Sequence, residues 1–173
     1  MLKIAYHVNN LSDARNFAAN LFDWIFFKVD QQGIYDLALY NSLADWVTGA
    51  QRGIHLSADS SMAELFVHKN VAEGIWIEEF QDKFSLPGVS IFSPIEENRP
   101  DYMIHKELMP VGNFGNQIID LSSIPFANRN QIHLNNYAGI ALRGGDEIKP
   151  GLRDFDAIND WIDWLSEQED QMK

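Results

Sequence analysis

The feature that most constrains the fold is a regular alternation of strand-like and helix-like segments through the first half of the chain. Eight runs rich in β-branched and aromatic residues predict strands at positions 3–8, 23–29, 53–57, 74–80, 88–93, 101–107, 116–122 and 138–144. Strands that alternate with helices form right-handed βαβ units and a parallel sheet. Eight of them predict an α/β protein built as a closed (β/α)8 barrel.

The helix pattern predicts that this barrel is incomplete. Ser12 is the expected N-cap of the first helix, Ser61 with Glu64 fits a capping box, and Asp154 is expected to cap the last helix. No helical periodicity lies between the fourth and seventh strands. Barrels of this kind typically need about 200 residues or more, and this chain has 173. We therefore expect one domain over residues 1–173, a minimised barrel with several outer helices missing. An open doubly wound sheet is the structural alternative.

Charge and composition narrow the classes of partner. Lys plus Arg number 13 and Asp plus Glu number 25, so the net charge is −12, which disfavours nucleic acid and anionic membrane surfaces. The absence of Cys excludes disulfides and thiolate chemistry. No apolar run approaches the roughly 18 residues of a membrane span, and no signal peptide is recognisable at the N-terminus. These features predict a cytoplasmic protein, and the lack of a P-loop or dinucleotide fingerprint predicts no cofactor.

Three segments, in the right order, resemble one enzyme family. The C-terminal stretch GIALRGGDEIKPGLRDFDAINDWI, residues 139–162, is similar to G-I-D-V-S-S-G-V-E-x-x-P-G-x-K-D. At the N-terminus, KI at 3–4 followed by NLSDA at 10–14 is similar to K-I-C-G-I-T-N-L-x-D-A, with one extra residue. DWIFF at 23–27 is similar to A-D-x-L-G-F-x-F. The family is phosphoribosylanthranilate isomerase, a small barrel enzyme of tryptophan biosynthesis, and the resemblance implies its fold and a site for a phosphorylated ligand.

The sequence departs from that family at the positions that carry its chemistry. The catalytic Cys on the first strand falls at Ala5, and a methyl group cannot act as a base. The general-acid Asp of the sixth strand has no counterpart in YMIHK at 102–106, and the eighth-strand Asp falls at Ala141. The resemblance therefore implies a divergent barrel without efficient isomerase activity.

Strand alternation assigns the side chains of the lumen, because successive residues point to opposite faces. We take as helix-facing Ile4, Ile54, Ile77, Ile104, Ile119 and Leu142. The lumen then receives His7, His55, Glu78, His105, Asp120 and Arg143, and Ala5 and Ala141 share this parity. The candidate catalytic residues are Asp120 with His7 or His105, while His55 and Glu78 are lumen polar residues. Without H-x-x-x-H or H-x-H spacing, no metal site is predicted.

A phosphate site is predicted at the ends of the last two strands. Adjacent Gly144 and Gly145 allow backbone N–H groups to approach a phosphate, and Arg143 adds a bidentate donor. In this family, the phosphate site follows the seventh and eighth strands, which adds Ser122 and Ser123. The competing interpretation of the glycine pair is a tight turn beside acidic residues.

Three hypotheses about function follow. The first is a divergent, isomerase-like barrel that retains a site for a phosphorylated small molecule. The second is an active isomerase in which Asp120 acts with His7 or His105. The third is a non-catalytic scaffold that binds a partner through strand faces that missing helices leave exposed, and the sequence allows a homo-oligomer that covers them.

Overall fold

A computed structural model describes residues 1–28, 30–31, 34–56, 72–79, 87–109, 114–145, 147–149, 152–153 and 155–171. Eight parallel strands close into a barrel. Their bounds are β1 Leu2–Val8, β2 Trp24–Phe27, β3 Gln51–Leu56, β4 Gly74–Ile77, β5 Ser90–Ser93, β6 Tyr102–His105, β7 Phe114–Asp120 and β8 Tyr137–Arg143. Each strand pairs with its neighbours in chain order, and β8 pairs with β1 to close the ring. The predicted closed barrel is confirmed, and the open sheet is wrong.

The described chain contains three α-helices, α1 Leu11–Ala19, α2 Leu37–Ala44 and α3 Asp156–Gln171. Four 3-10 turns accompany them, Glu96–Asn98, Leu121–Ser123, Phe126–Gln131 and Leu134–Asn136. Two short hairpins pair Asp30–Gln31 with Ile34–Tyr35, and Glu147–Lys149 with Leu152–Arg153. In the described parts of the connections after β5, β6 and β7, no α-helix occurs, as a minimised barrel requires. No helix among the described residues is long and apolar enough to cross a membrane.

Of the three predicted helix N-caps, one is wrong and two lie outside the described residues. Asn10, not Ser12, caps α1: its backbone is extended, and its side-chain oxygen accepts the Asp13 N–H at 2.9 Å. A cap outside the helix has this extended backbone, whereas Ser12 already lies within the first turn. The capping box of Ser61 and Glu64 and the cap at Asp154 lie outside the described residues.

The lumen is filled by apolar side chains, many of them aromatic. The buried cluster there consists of Ile4, Tyr6, Trp24, Phe26, Trp76, Phe92, Ile104, Ile118 and Ala141. Tyr6 stacks on Trp76 with ring centroids 4.2 Å apart. A second, larger cluster joins the outward faces of the strands to the helices. The described interior of the barrel is thus packed with apolar and aromatic side chains.

Two strands have the opposite parity to the prediction. Ile4 and Ile104 lie in the lumen, so Ala5 faces the helices and His105 shares the outer face with its register partner Ile119. On β3, β4, β7 and β8 the predicted parity is right. The error arose because the prediction reserved the lumen for polar residues, whereas its lower layers bury apolar ones.

Candidate functional site

The candidate site is the mouth of the barrel at the carboxyl ends of the strands, where His7, His55, Glu78, Asp120 and Arg143 come together. Active sites of (β/α)8 barrels lie at this end, because the loops there vary without disturbing the packed interior. Three groups of contacts organise the mouth, and each brings together residues that are distant in the sequence.

His7 reaches the mouth through an unusual backbone conformation. Strand alternation sends Tyr6 into the lumen and would send His7 outward, but His7 has φ +58° and the β1–β2 pairing is irregular between Ala5 and Val8. Its Nε2 lies 3.1 Å from Arg143 Nη2. Because a guanidinium only donates, Nε2 is the acceptor and the ring proton is on Nδ1. His7 therefore faces Arg143, as the lumen assignment predicted, but through a local twist.

Asp120 is buried at the end of β7 and accepts three hydrogen bonds. Tyr6 Oη donates to Oδ2 at 2.8 Å, Ser123 Oγ donates to Oδ2 at 2.7 Å, and the Ser122 N–H donates to Oδ1 at 3.1 Å. Burial raises the pKa of Asp120, and the bonds from Ser123 and Tyr6 oppose that rise. Burial and the neighbouring Asp120 also raise the pKa of Tyr6, which stays a neutral donor.

The opposite side of the mouth holds His55, Glu78 and Lys106. Glu78 Oε2 lies 3.7 Å from His55 Nε2, and Glu78 Oε1 lies 3.7 Å from Lys106 Nζ. The polar contact with His55 is the main cause that lowers the pKa of Glu78 to about 2, despite its partial burial. Sequence reasoning missed Lys106, whose only signal was that it immediately follows β6.

A cavity of about 350 Å³ lies between the ends of β7 and β8 and the first turns of α3. Its lining comprises Ser122, Leu142, Arg143, Gly144, Gly145, Ala157, Ile158 and Trp161. Four of the five predicted phosphate-binding residues therefore line one cavity. The fifth, Ser123, does not line it, because its hydroxyl turns into the lumen to bond Asp120.

Gly144 is fixed by close packing rather than by a free turn. Its N–H donates to the Tyr6 carbonyl at 2.7 Å, and a Cβ there would lie 2.9 Å from both Asp13 Oδ2 and the His7 carbonyl oxygen. Asp13 is fully buried and accepts the Asn10 side-chain amide at 2.6 Å. The sequence did not single out Asp13 as a site residue, although it belongs to the N-terminal segment that carries the family resemblance.

His105 does not join the other candidate catalytic residues. It lies on the outer face of β6, and its Nε2 is buried without a hydrogen-bond partner among the described residues. The expectation that His105 faces the lumen is therefore wrong. Among the described residues, no group of three His, Asp or Glu side chains is placed to hold a metal ion.

Comparison with solved structures relates this geometry to known proteins. Phosphoribosylanthranilate isomerase from Thermus thermophilus superposes with a TM-score of 0.70 over 97% of this chain and 100% of that chain, at 11% identity. The fold is that of phosphoribosylanthranilate isomerase. A structure of monomers generated from the dimeric phosphoribosylanthranilate isomerase of Thermotoga maritima superposes with a TM-score of 0.55, at 12% identity, over 94% of this chain and 97% of that one. No protein-family profile matches the sequence, and no curated protein matches it.

Within this fold, the positions where the sequence lacks the family's catalytic Cys and eighth-strand Asp can be located. Ala5, where the sequence resemblance places the family's catalytic Cys, is buried against the helices, and Ile4 and Tyr6 are the β1 side chains in the lumen cluster. Ala141, at the place of the eighth-strand Asp, does face the lumen but offers only a methyl group.

Proposed function

We propose that this protein is a phosphoribosylanthranilate isomerase-like barrel that binds a phosphorylated small molecule and has no efficient isomerase activity. The observation that carries the proposal is the cavity at the ends of β7 and β8. It brings Arg143, Ser122 and the pair Gly144 and Gly145 together at the end of the barrel where ligands of this fold bind.

The chemistry of the cavity suits a phosphate ester. Arg143 supplies a permanent positive charge and paired N–H donors, which match phosphate oxygens. The cavity also borders the first turn of α3, where the helix dipole favours an anion. Leu142, Ile158 and Trp161 form an apolar wall that suits the carbon skeleton of an ester better than free phosphate.

The polar groups of the mouth support the second half of the proposal. General acid–base catalysis needs a group within hydrogen-bond reach of the substrate and free to exchange a proton. The Asp120 carboxylate already holds three donors, and the Nε2 lone pair of His7 faces Arg143. Neither group is arranged as a ready acid or base.

Calorimetric titration tests the proposal, with inorganic phosphate and a stable analogue of the isomerase product as ligands. We expect native protein to bind both and Arg143→Ala to lose at least tenfold in affinity, because charge-assisted hydrogen bonds contribute about 1.5–3 kcal/mol. Arg15→Ala on α1 is the matched control, since it removes the same charge from a residue outside the cavity lining and should bind as native protein does.

Two outcomes would contradict different parts of the proposal. No binding of either ligand by native protein removes the phosphate site. Turnover of phosphoribosylanthranilate at an enzymatic rate removes the second half and revives the hypothesis that Asp120 acts with His7.

The outer face of β6 and β7 favours a second candidate function, self-association. Met103 and Gln117 are register neighbours there, and with Glu96, Arg99 and Asp101 they line a groove of about 380 Å³. Gln117 Oε1 is buried without a hydrogen-bond partner in the described part of the chain. The Thermotoga maritima isomerase is described as dimeric. We propose that a second copy of this chain covers the groove.

A further inference from the structure

Asp120 links β1 to the turn that follows β7. It accepts from Tyr6 on β1, from the Ser123 hydroxyl and from the Ser122 backbone in the turn that follows β7. Both carboxylate oxygens are therefore occupied, and the side chain is fully buried. A carboxylate held in this way is suited to fixing its neighbours in place.

Ser122 connects the turn after β7 to β8. Asp120 is the N-cap of the 3-10 turn Leu121–Ser123, and its side chain accepts the Ser122 backbone N–H. The Ser122 hydroxyl in turn accepts the Arg143 backbone N–H at 2.6 Å. Ser122 and Arg143 both line the cavity between β7, β8 and α3, whereas Asp120 is absent from its lining.

We infer that Asp120 is a positioning residue, which holds the Ser122 hydroxyl and the Arg143 backbone in the arrangement that binds an anion. It acts through Ser122 and makes no contact with the ligand. The inference rests on the proposed function only for the identity of the ligand, because the hydrogen bonds concerned are present in the free protein.

The role demands an acceptor for the Ser122 N–H and not an ionisable group, so two substitutions separate positioning from acid catalysis. Asp120→Leu has a similar volume and no acceptor. In Asp120→Asn, the amide oxygen still accepts from Ser122, while the amide N–H groups donate to the hydroxyls of Tyr6 and Ser123. Ser122→Ala removes the next link, and Ser123→Ala is the matched control that leaves the Ser122 bond in place.

Amide hydrogen exchange of Arg143 reports on its hydrogen bond with the Ser122 hydroxyl and needs no ligand. We expect exchange about tenfold faster in Asp120→Leu and in Ser122→Ala, the effect of losing one hydrogen bond. The rate should stay native in Asp120→Asn and Ser123→Ala, with the Ile140 amide of the same strand as internal reference. A native Arg143 exchange rate in folded Asp120→Leu, or fast exchange in folded Asp120→Asn, would overturn the positioning role.

Affinity for inorganic phosphate then tests the route through Ser122. Asp120→Leu and Ser122→Ala should each bind about tenfold more weakly, and the double variant no more weakly than either, because both break the same chain of contacts. A double variant that loses the product of the two single effects would show that Asp120 does not act through Ser122. Absence of phosphate binding by native protein would refute the proposed ligand, and the exchange rates would still decide the role of Asp120. If Asp120→Leu does not fold, Asp120→Asn decides alone, since loss of phosphate affinity in that variant contradicts positioning.

Discussion

At the scale of single residues, the mouth shows how a buried or half-buried carboxylate takes its properties from its contacts. Glu78 and Asp120 were both predicted as lumen residues, yet their pKa values move in opposite directions. Glu78 lies between His55 and Lys106, which stabilise its charge. Asp120 is surrounded by neutral donors, and its burial dominates. Both residues could be predicted from the sequence, but their partners could not, because the partners lie on other strands and loops.

The lowered pKa of Glu78 predicts how the free energy of unfolding falls at acid pH. Its ordinary value is 4.5 and its folded value is about 2, so the unfolded chain binds the proton first as pH falls. The interaction therefore stabilises the fold above about pH 4.5, and this contribution is lost as pH falls towards about 2. We expect the free energy of unfolding of Glu78→Gln, measured in urea, to fall less steeply than that of native protein over this range.

Asp120→Asn provides the contrast for that experiment. Because the pKa of Asp120 is raised in the fold, the native state binds its proton first, and stability gained from Asp120 increases as pH falls through the raised value. The free energy of unfolding should therefore fall more steeply with falling pH in Asp120→Asn than in native protein, and less steeply in Glu78→Gln. Identical pH dependence of native protein and Glu78→Gln would contradict the assigned ion pairs.

At the scale of elements, the face of a strand was predicted correctly where alternation places the polar residue at its carboxyl end in the mouth, and wrongly on β1 and β6, where it does not. His55, Asp120 and Arg143 marked the faces of β3, β7 and β8 correctly. On β1 and β6 the isoleucines were assigned outward so that His7 and His105 faced the lumen, although Ile4 and Ile104 fill the lumen beside Trp24 and Ile118. Periodicity gives two faces but not which of them is the inside. The left-handed backbone at His7 turns its side chain away from the face that strand alternation predicts.

The Trp24 ring on β2 requires a small residue on β4, the second strand along the barrel from it. A Cβ at Gly74, the first residue of β4, would overlap the Trp24 ring. We expect Gly74→Ala to lower the free energy of unfolding by about 1–3 kcal/mol, the usual cost of overpacking a filled core.

Gly115 on β7 is the matched control, because a Cβ there meets nothing within 4 Å. Gly115→Ala should stay within about 0.5 kcal/mol of native protein in the same denaturant titration. Equal effects at the two glycines would mean that strand propensity, and not the packing of Trp24, governs these positions.

At the scale of the whole molecule, the number of strands and their closure followed from the sequence, whereas the coverage of the outer face did not. Outward residues such as Ile54, Ile75 and Leu142 are fully buried although the described chain has only three α-helices. The face of β6 and β7 differs, since Met103, His105 and Gln117 are only partly buried there. A barrel that has lost helices from one arc has to cover that arc in another way.

Self-association through this face is therefore the prediction for the assembled protein. A two-fold contact places the groove of one copy against the groove of the other, where a donor of the second copy can reach Gln117 Oε1, which has no hydrogen-bond partner among the described residues. We expect light scattering to give twice the chain mass of 19.8 kDa and Met103→Glu to give a single chain with unchanged circular dichroism. Leu21→Glu is the matched control, because Leu21 is 79% exposed and precedes β2, on the opposite side of the barrel. A native protein that scatters as a single chain at all concentrations would refute the contact, and a dimer that persists in Met103→Glu would place it on another face.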